Sequence, residues 1–345
     1  MRKYLLPENG RFYKANLHCH TTVSDGAYTP KEVKEMYKAQ GYSIIAYTDH
    51  DIMIDHDDLR DESFLPLMGY EIETNERRPD DQNPFYKLKS CHICMIALDR
   101  ENARQVCWHR SRYQIGNGWK NMKYARFDDS LPDYVREYSH EGISDIMKKG
   151  RDGGFFVTYN HPKWSLENYG DYSGFEGMHA MEMCNGNSYI SGYGDYNPEV
   201  YDDLLRQGKR IYCIGGDDNH GNANNNGERN PWDSFHAFTV IKADSLDYKT
   251  VTRALLDGSF YASMGPEITE LYVEDGRVHI KCSEADKIVF TSGRRNARAI
   301  YARDDAPLTE ASFPVAPEDV YFRLTVTDKS GKHANTNAYF TDKVI

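Results

Sequence analysis

The stretch 15–51, ANLHCHTTVSDGAYTPKEVKEMYKAQGYSIIAYTDHD, reads as strand, helix, strand, with polar residues gathered where each strand ends. Its apolar pattern predicts strands over Ala15–His20 and Ser43–Thr48. Between them, Thr29-Pro30-Lys31-Glu32 places a hydroxyl at the N-cap, a proline at the first helical position and a glutamate at the third. That is a capping box. Val33, Met36 and Tyr37 then form one apolar stripe, and Gly41 stops the helix.

Working outward, the same rhythm recurs. Further strands are expected over Phe64–Ile72, Cys91–Leu98, Phe155–Asn160, Gly177–Cys184, Arg210–Gly215 and Phe235–Ile241. Several are near-continuous apolar runs, as parallel strands covered on both faces tend to be. Helices are expected over Ser144–Lys149, Pro198–Gln207 and Tyr248–Leu256. Repeated strand–helix units predict an α/β barrel-like domain over residues 1–266, with its site at the C-terminal ends of the strands.

Residues 99–140 break the rhythm with a basic, aromatic insert that includes Arg100, Arg104, Trp108, Arg110, Trp119 and Arg126. It reads either as a cap over the substrate site or as a surface excursion with solvated charges. Beyond residue 266 the pattern alternates instead. TELYVEDGRVHIKCS is a hairpin around Glu274-Asp275-Gly276, and the rest continues in that style, so a small antiparallel β-sandwich is expected over 267–345. No linker rich in Pro, Gly or Ser separates the two domains, which are expected to dock.

Composition narrows the function classes. The chain has 345 residues and a net charge of −11, which argues against a general binder of nucleic acids or membrane surfaces. Hydrophobic residues make up 39%, enough for a core, so wholesale disorder is excluded. No membrane span or secretory leader is expected from the hydropathy pattern. The seven scattered cysteines do not suggest a disulfide framework, and a cytoplasmic location is expected. Cys91 and Cys94 lie in the apolar run CHICMIAL and read as packing residues rather than a metal or redox pair.

Chemistry concentrates at the strand ends. His18 and His20 are two apart, so on a strand both imidazoles face one side and can reach one metal. Asp25 follows in Ser-Asp-Gly, His50 in Thr-Asp-His-Asp, Glu71 in Gly-Tyr-Glu, and His161 in Tyr-Asn-His-Pro. His92 opens an apolar run, and Asp218 and His220 close a late strand, again two apart. A lone histidine of this kind is more often structural. So many ionisable groups at successive strand ends are costly to bury unless metals pair them. Imidazole with carboxylate suits Zn, Mn or Fe better than Ca or Mg.

The ordered set HxH…SDG, TDHD, Glu, His, His, DxH resembles the PHP (polymerase and histidinol phosphatase) superfamily of metal-dependent phosphoesterases. It is most similar to stand-alone, two-domain members with a C-terminal β-domain. The resemblance implies a distorted (β/α)7 barrel holding three divalent ions. It implies a first metal on His18, His20, Glu71 and Asp218, a second on Glu71, His92 and His161, and a third on Asp25, His50 and His220. Asp217 competes with Asp218 for one place, and the DxH spacing favours Asp218. A metal-bridging hydroxide would attack phosphorus, with the third metal on a non-bridging oxygen. Glu71, Asp218 and His220 are the residues implied in catalysis, and His220, Asp218 or a metal-bound water is left as the acid. Asp49 and Asp51 read either as orienting the ligands or as capping turns. Lys163, Arg77 and Arg78 read either as phosphate contacts or as solvated loop cations.

The expected function is therefore hydrolysis of a phosphoester in a small phosphorylated molecule, a nucleotide among the candidates. No stable nucleic-acid or membrane partner is expected. The alternatives are an exonuclease on short oligonucleotides, using the basic aromatic insert for stacking, and a ligand-binding protein with a vestigial barrel. Amidohydrolysis ranks lower, because no strand-end lysine accompanies the HxH.

Overall fold

The computed structural model describes residues 2–76, 89–102, 104–221, 228–303 and 306–345. The strand–helix–strand unit forms as the sequence dictates. Strands Arg11–Asn16 and Tyr42–Tyr47 lie parallel, joined by the helix Pro30–Ala39. Thr29 caps that helix with both arms of the capping box in place. Val33 and Tyr37 are buried on its inner face, and Gly41 takes a left-handed φ of 78° just past its end.

The parallel run continues to Leu65–Asn75, and a second parallel set joins Phe155–Asn160, Ala180–Asn185 and Tyr212–Gly216. The strand between the two sets, Ser90–Ala97, is antiparallel to both neighbours. Its apolar run reads like that of a buried parallel strand, so its reversed direction is a departure, and it has a functional effect. The start of Ser90–Ala97 lies beside the end of Leu65–Asn75, with His92 opposite Glu73. His92 thus opens its strand at the same sheet end where the other ligand candidates close theirs.

The expected (β/α)7 barrel is not reproduced as a closed ladder. Among the described residues, the strands from Arg11–Asn16 to Tyr212–Gly216 form an open path. Its two ends meet beyond the strands, through a parallel bridge between Cys19 and Asn219 and through bonds from the His20 amide to the Asn219 carbonyl at 3.1 Å and from the Asp218 amide to the His18 carbonyl at 2.9 Å. Both segments have by then left regular strand geometry, Asp218 with a φ of 54°.

The sheet does not stop at residue 266 either. Phe260–Ser263 pairs on one side with Phe238–Ala243 and on the other with His333–Thr336. The hydrogen-bonded path then runs on through Tyr321–Thr327 and Lys287–Ser292 to Arg298–Tyr301. A second sheet of four strands holds Ile268–Glu274, Arg277–Ala285 and Leu308–Pro314, with Lys3–Tyr4 from the start of the chain at its edge. The two layers share one apolar cluster that includes Leu271, Val278, Phe290, Phe313, Phe322 and Leu324. The hairpin around Glu274-Asp275-Gly276 is present, with positive φ at Asp275 and Gly276 as a tight two-residue turn requires.

All seven cysteines are unpaired and buried. Cys91 and Cys94, three apart on one strand, point to opposite faces and cannot share an ion. Among the described residues no helix is long and apolar enough to cross a membrane.

Candidate metal centre

The open path gathers its polar strand ends into one buried cluster. His18, His20, His50, Glu71, His92, His161 and Asp218 are all at most 5% exposed, while Asp25 and His220 lie at the cluster's outer edge. Glu71 is the hub. Its carboxylate lies within 3.1–3.6 Å of nitrogens from His18, His20, His50, His92 and His161. Asp218 takes the opposite side, 3.2 Å from His18 and 3.0 Å from His20. Asp25 sits 3.5 Å from His220, 3.8 Å from His50 and 3.7 Å from His20.

The ligand atoms fall into overlapping groups with the spread of metal sites. One holds His18, His20, Glu71 and Asp218; another Glu71, His92 and His161; a third Asp25, His50 and His220, with His20 added. All nine sequence-derived ligand candidates are therefore brought together. The choice between neighbouring aspartates is also resolved in space. Asp217 turns away and accepts the amides of Phe235, His236 and Ala237 and the Tyr37 hydroxyl. Burial nevertheless pushes its carboxyl up to about 6.

Whether the cluster fits a cation can be asked of its own atoms. The His18 and His20 Nε2 atoms face each other at 3.2 Å. His20 Nδ1, His50 Nδ1, His92 Nδ1 and Glu71 Oε2 are buried and make no hydrogen bond. Buried polar atoms without partners are costly. Four of them aimed at a common space, among imidazoles and carboxylates, fit divalent ions.

The far side of the imidazoles is held in turn. His18 Nδ1 meets Glu182 at 3.1 Å, His92 Nε2 the Ser90 hydroxyl at 2.9 Å, His161 Nδ1 the Ser165 hydroxyl at 3.3 Å, and His220 Nδ1 the Asp218 carbonyl at 2.9 Å. Such outer contacts fix which nitrogen faces a metal. Glu182 was missed in the sequence reading. A single carboxylate in the buried strand Ala180–Asn185 was the available signal. Asn160 was missed too, and it donates to Glu71 at 3.2 Å.

Asp49 and Asp51 do separate jobs. The Asp49 carboxylate accepts the amides of Thr21 and Ser24 and both their hydroxyls, which shapes the loop that presents Asp25. Asp51, with a left-handed φ of 57°, pairs with Arg136 from the insert. His161 and Asp218 are also left-handed, at 32° and 54°. Such backbone strain collects at functional sites.

Burial and charge act on the cluster together. Burial pulls the His220 imidazolium down, but Asp25 outweighs it and leaves the group at about 10. Burial wins at His50, which falls to about 4. Burial opposes ionisation of Glu71 and Asp218, yet the facing imidazoles hold both carboxyls well below their usual range.

A cavity of about 510 Å³ opens onto the cluster, walled by Ile115, Trp164, Tyr193, Asn187 and Ser191. Trp164 sets its ring edge-on to His92 and His161. Lys163 does not line it. Its ammonium is drawn to the Tyr196 carbonyl at 3.3 Å and Glu199 at 3.6 Å. Arg77 and Arg78 lie outside the described residues. The insert contributes Ile115 to the wall, and some of its cations are engaged elsewhere. Arg100 pairs with Asp55 and Asp57, and Arg110 with Asp133, while Trp108 is buried.

Residues 16–165 match the PHP domain model. Over 103 residues the chain is 36% identical to a 5'-3' exoribonuclease of Haemophilus influenzae, an alignment spanning 29% of this chain and 34% of that protein. The chain thus spans about a third of that relative's length. Among solved structures, it aligns over 98% of its length with 90% of a two-domain protein from Bacteroides vulgatus that contains a predicted PHP-like metal-dependent phosphoesterase (15% identity, TM-score 0.42). It also aligns over 66% of its length with 93% of a candidate metal-dependent phosphoesterase from Bifidobacterium adolescentis (19% identity, TM-score 0.36).

Proposed function

We propose that the chain, whose residues 16–165 match the PHP domain model, is a metal-dependent hydrolase that cleaves a phosphoester in a small phosphorylated molecule. The observation that carries this reading is the set of unpartnered buried atoms at His20, His50, Glu71 and His92, which face one another beneath an open cavity. The first group would hold one ion through His18, His20, Glu71 and Asp218, and the second would share Glu71 with His92 and His161. The third would use Asp25, His50 and His220, with His20 close by. Manganese, zinc or iron suits these donors. Bound divalent ions supply positive charge for the phosphate and a water acidic enough to act as nucleophile.

The chain's own residues do the rest. Among the described residues no lysine or arginine lines the cavity, so the anionic end of the substrate is drawn to the cluster itself. Glu71 and Asp218 stay ionised and set the negative charge that retains the cations. Asn187, whose amide lies 3.5 Å from Asp218, faces the cavity and can donate to a substrate oxygen. His220 lies on the cavity wall, where its Nε2 would hold the third ion beside Asp25 while its Nδ1 stays on the Asp218 carbonyl. Ile115, Trp164 and Tyr193 enclose the non-phosphate part and limit access of water.

The test is phosphate release by manganese-loaded protein from a panel of phosphomonoesters and 3',5'-bisphosphorylated nucleotides, with His18→Ala as control. Release that depends on His18 supports the reading. No release from protein shown to hold manganese overturns it. One observation favours a second reading, an exonuclease on short oligonucleotides. Tyr189, on the short helix Gly186–Ile190, and Trp232 are exposed beyond the strand ends, and Tyr193 and Trp164 line the cavity, a set of rings on which bases can stack. The exoribonuclease relative points the same way. Stepwise shortening of a labelled oligonucleotide, weakened by salt, would favour it over the small-molecule reading.

A further inference from the structure

The third ligand group differs from the other two in what supports it. Asp25 and His50 sit on the loops 21–25 and 48–51, outside the sheet ladders. Both loops are gripped by the insert. Asn117 donates its amide to the Ser24 carbonyl at 2.6 Å and its side chain to the Thr22 carbonyl at 3.2 Å, and Asn121 donates to the Val23 carbonyl at 2.8 Å. Gly116 is left-handed and packs so closely that a Cβ there would meet the Ser24 carbonyl oxygen at 2.5 Å.

On the other loop, Gln105 donates to the Asp51 carbonyl at 2.7 Å and accepts the Met53 amide at 3.0 Å. Arg136 reaches both carboxylate oxygens of Asp51 and donates to the Glu73 carbonyl at 3.0 Å. Its guanidinium lies 4.2 Å over the Tyr113 ring, and the side chains of Arg136 and Asp51 are each 2% exposed. Between the two loops, Trp108 packs on Val23 and Ile52. The other ligands' elements are bound more sparsely. The Tyr70 hydroxyl beside Glu71 accepts the Val106 amide at 2.9 Å and donates to its carbonyl at 3.2 Å, and Tyr138 donates to Glu167 at 2.9 Å. Among the described residues no hydrogen bond from the insert reaches His18, His92, His161 or Asp218 themselves.

We infer that the insert is a positioning collar for the Asp25–His50–His220 group, and that Arg136 is its chief positioning residue. Arg136 touches no ligand. It acts through Asp51, the residue next to His50, and through the strand that carries Glu71. The inference rests on the metal-binding reading above. Its consequence is a graded loss: loosening the collar weakens the ion held through His50 most, because both loops of that group depend on it, and the two ions that share Glu71 less.

The experiment measures manganese bound by the full-length chain, by equilibrium dialysis and elemental analysis, beside thermal unfolding of chelated protein. His50→Ala marks the equivalent in question. Arg136→Met is expected to weaken that equivalent ten- to hundredfold, as loss of an outer support commonly does, with the others within about twofold. Asn117→Ala/Asn121→Ala, which leaves the ion pair intact, is expected to weaken the same equivalent less. The double variant Asp51→Asn/Arg136→Met removes the unpaired buried charge. It is expected to recover thermal stability without recovering manganese.

If the double variant regains manganese along with stability, the pair serves folding alone and the inference falls. It falls also if all equivalents weaken equally, or if folded variants bind as the wild type does. If Arg136→Met does not fold, the asparagine variant decides. A wild-type chain that binds no manganese, zinc or iron would instead sink the metal-binding reading itself, and the collar with it.

Discussion

Two buried polar clusters in this molecule are built on opposite plans. At the junction with the C-terminal strands, Arg323 grips both oxygens of Asp202 at 2.7 and 2.8 Å. A third arm of the guanidinium reaches Thr325, which passes a bond to Asn335. Asn337 ties the Cys213 amide to the carbonyls of Gly258 and Phe260. Arg323 and, at 3.9 Å, Arg206 meet the same carboxylate, and the other donors find acceptors in the chain except Asn335 Nδ2. At the strand ends, six imidazoles crowd three carboxylates, and four buried atoms find no hydrogen bond. The first cluster closes on itself, with one orphaned donor, without a guest. The second is assembled around what it lacks, so buried charge serves cohesion in one place and binding in the other.

That contrast can be broken by exchanging losses. His18→Ala should lower phosphate release roughly a thousandfold, the several kcal/mol that a metal's charge contributes. It should leave the unfolding temperature of chelated protein nearly unchanged, and a large drop there would put the strand-end cluster on the same plan as the junction. Asp202→Asn should do the reverse. It strands a buried guanidinium, for a loss of about 3–5 kcal/mol in denaturant unfolding. Activity per folded molecule should persist. Glu182→Gln sharpens the comparison, because it removes charge behind a ligand rather than the ligand. Manganese affinity by chelator competition should fall about 10- to 100-fold, with less effect on stability than Asp202→Asn.

The smallest effect concerns a third buried carboxyl. Glu167 accepts the hydroxyls of Tyr159 and Tyr138, and burial pushes it up to about 8 from its ordinary 4.5. A raised acid keeps its proton in the folded chain while the unfolded chain loses it. Its contribution is complete below about pH 4.5 and fades as pH rises toward 8. Glu167→Gln should flatten the fall in stability across that window, by at most about 1.4 kcal/mol per pH unit. An unchanged slope would show that Glu167 is ionised in the folded protein.

The site was more legible than the scaffold beneath it. His18, His20, Asp25, His50, Asp218 and His220 sit in short local patterns, and local spacing is what a sequence displays directly. The capping box at Thr29 was readable for the same reason. Glu182 belongs to no such pattern, because its partner His18 is 164 residues away. Arg136 likewise looks like one more surface cation until the fold brings it to Asp51. The reversal of Ser90–Ala97 was hidden because a strand buried on both faces has the same apolar run in either direction. The expected boundary at residue 266 rested on a change in hydrophobic rhythm. Rhythm reports which faces are covered, not which edges are paired.

That pairing has a practical consequence for anyone who would dissect the molecule. Phe260, Tyr261 and Ala262 are buried, and their strand hydrogen-bonds to neighbours on both flanks. Truncation after residue 266 would therefore not release a self-contained catalytic fragment. It would tear a seam, leaving an apolar edge open to pair with the next copy, and would leave Lys3–Tyr4 without the strand it is stitched to.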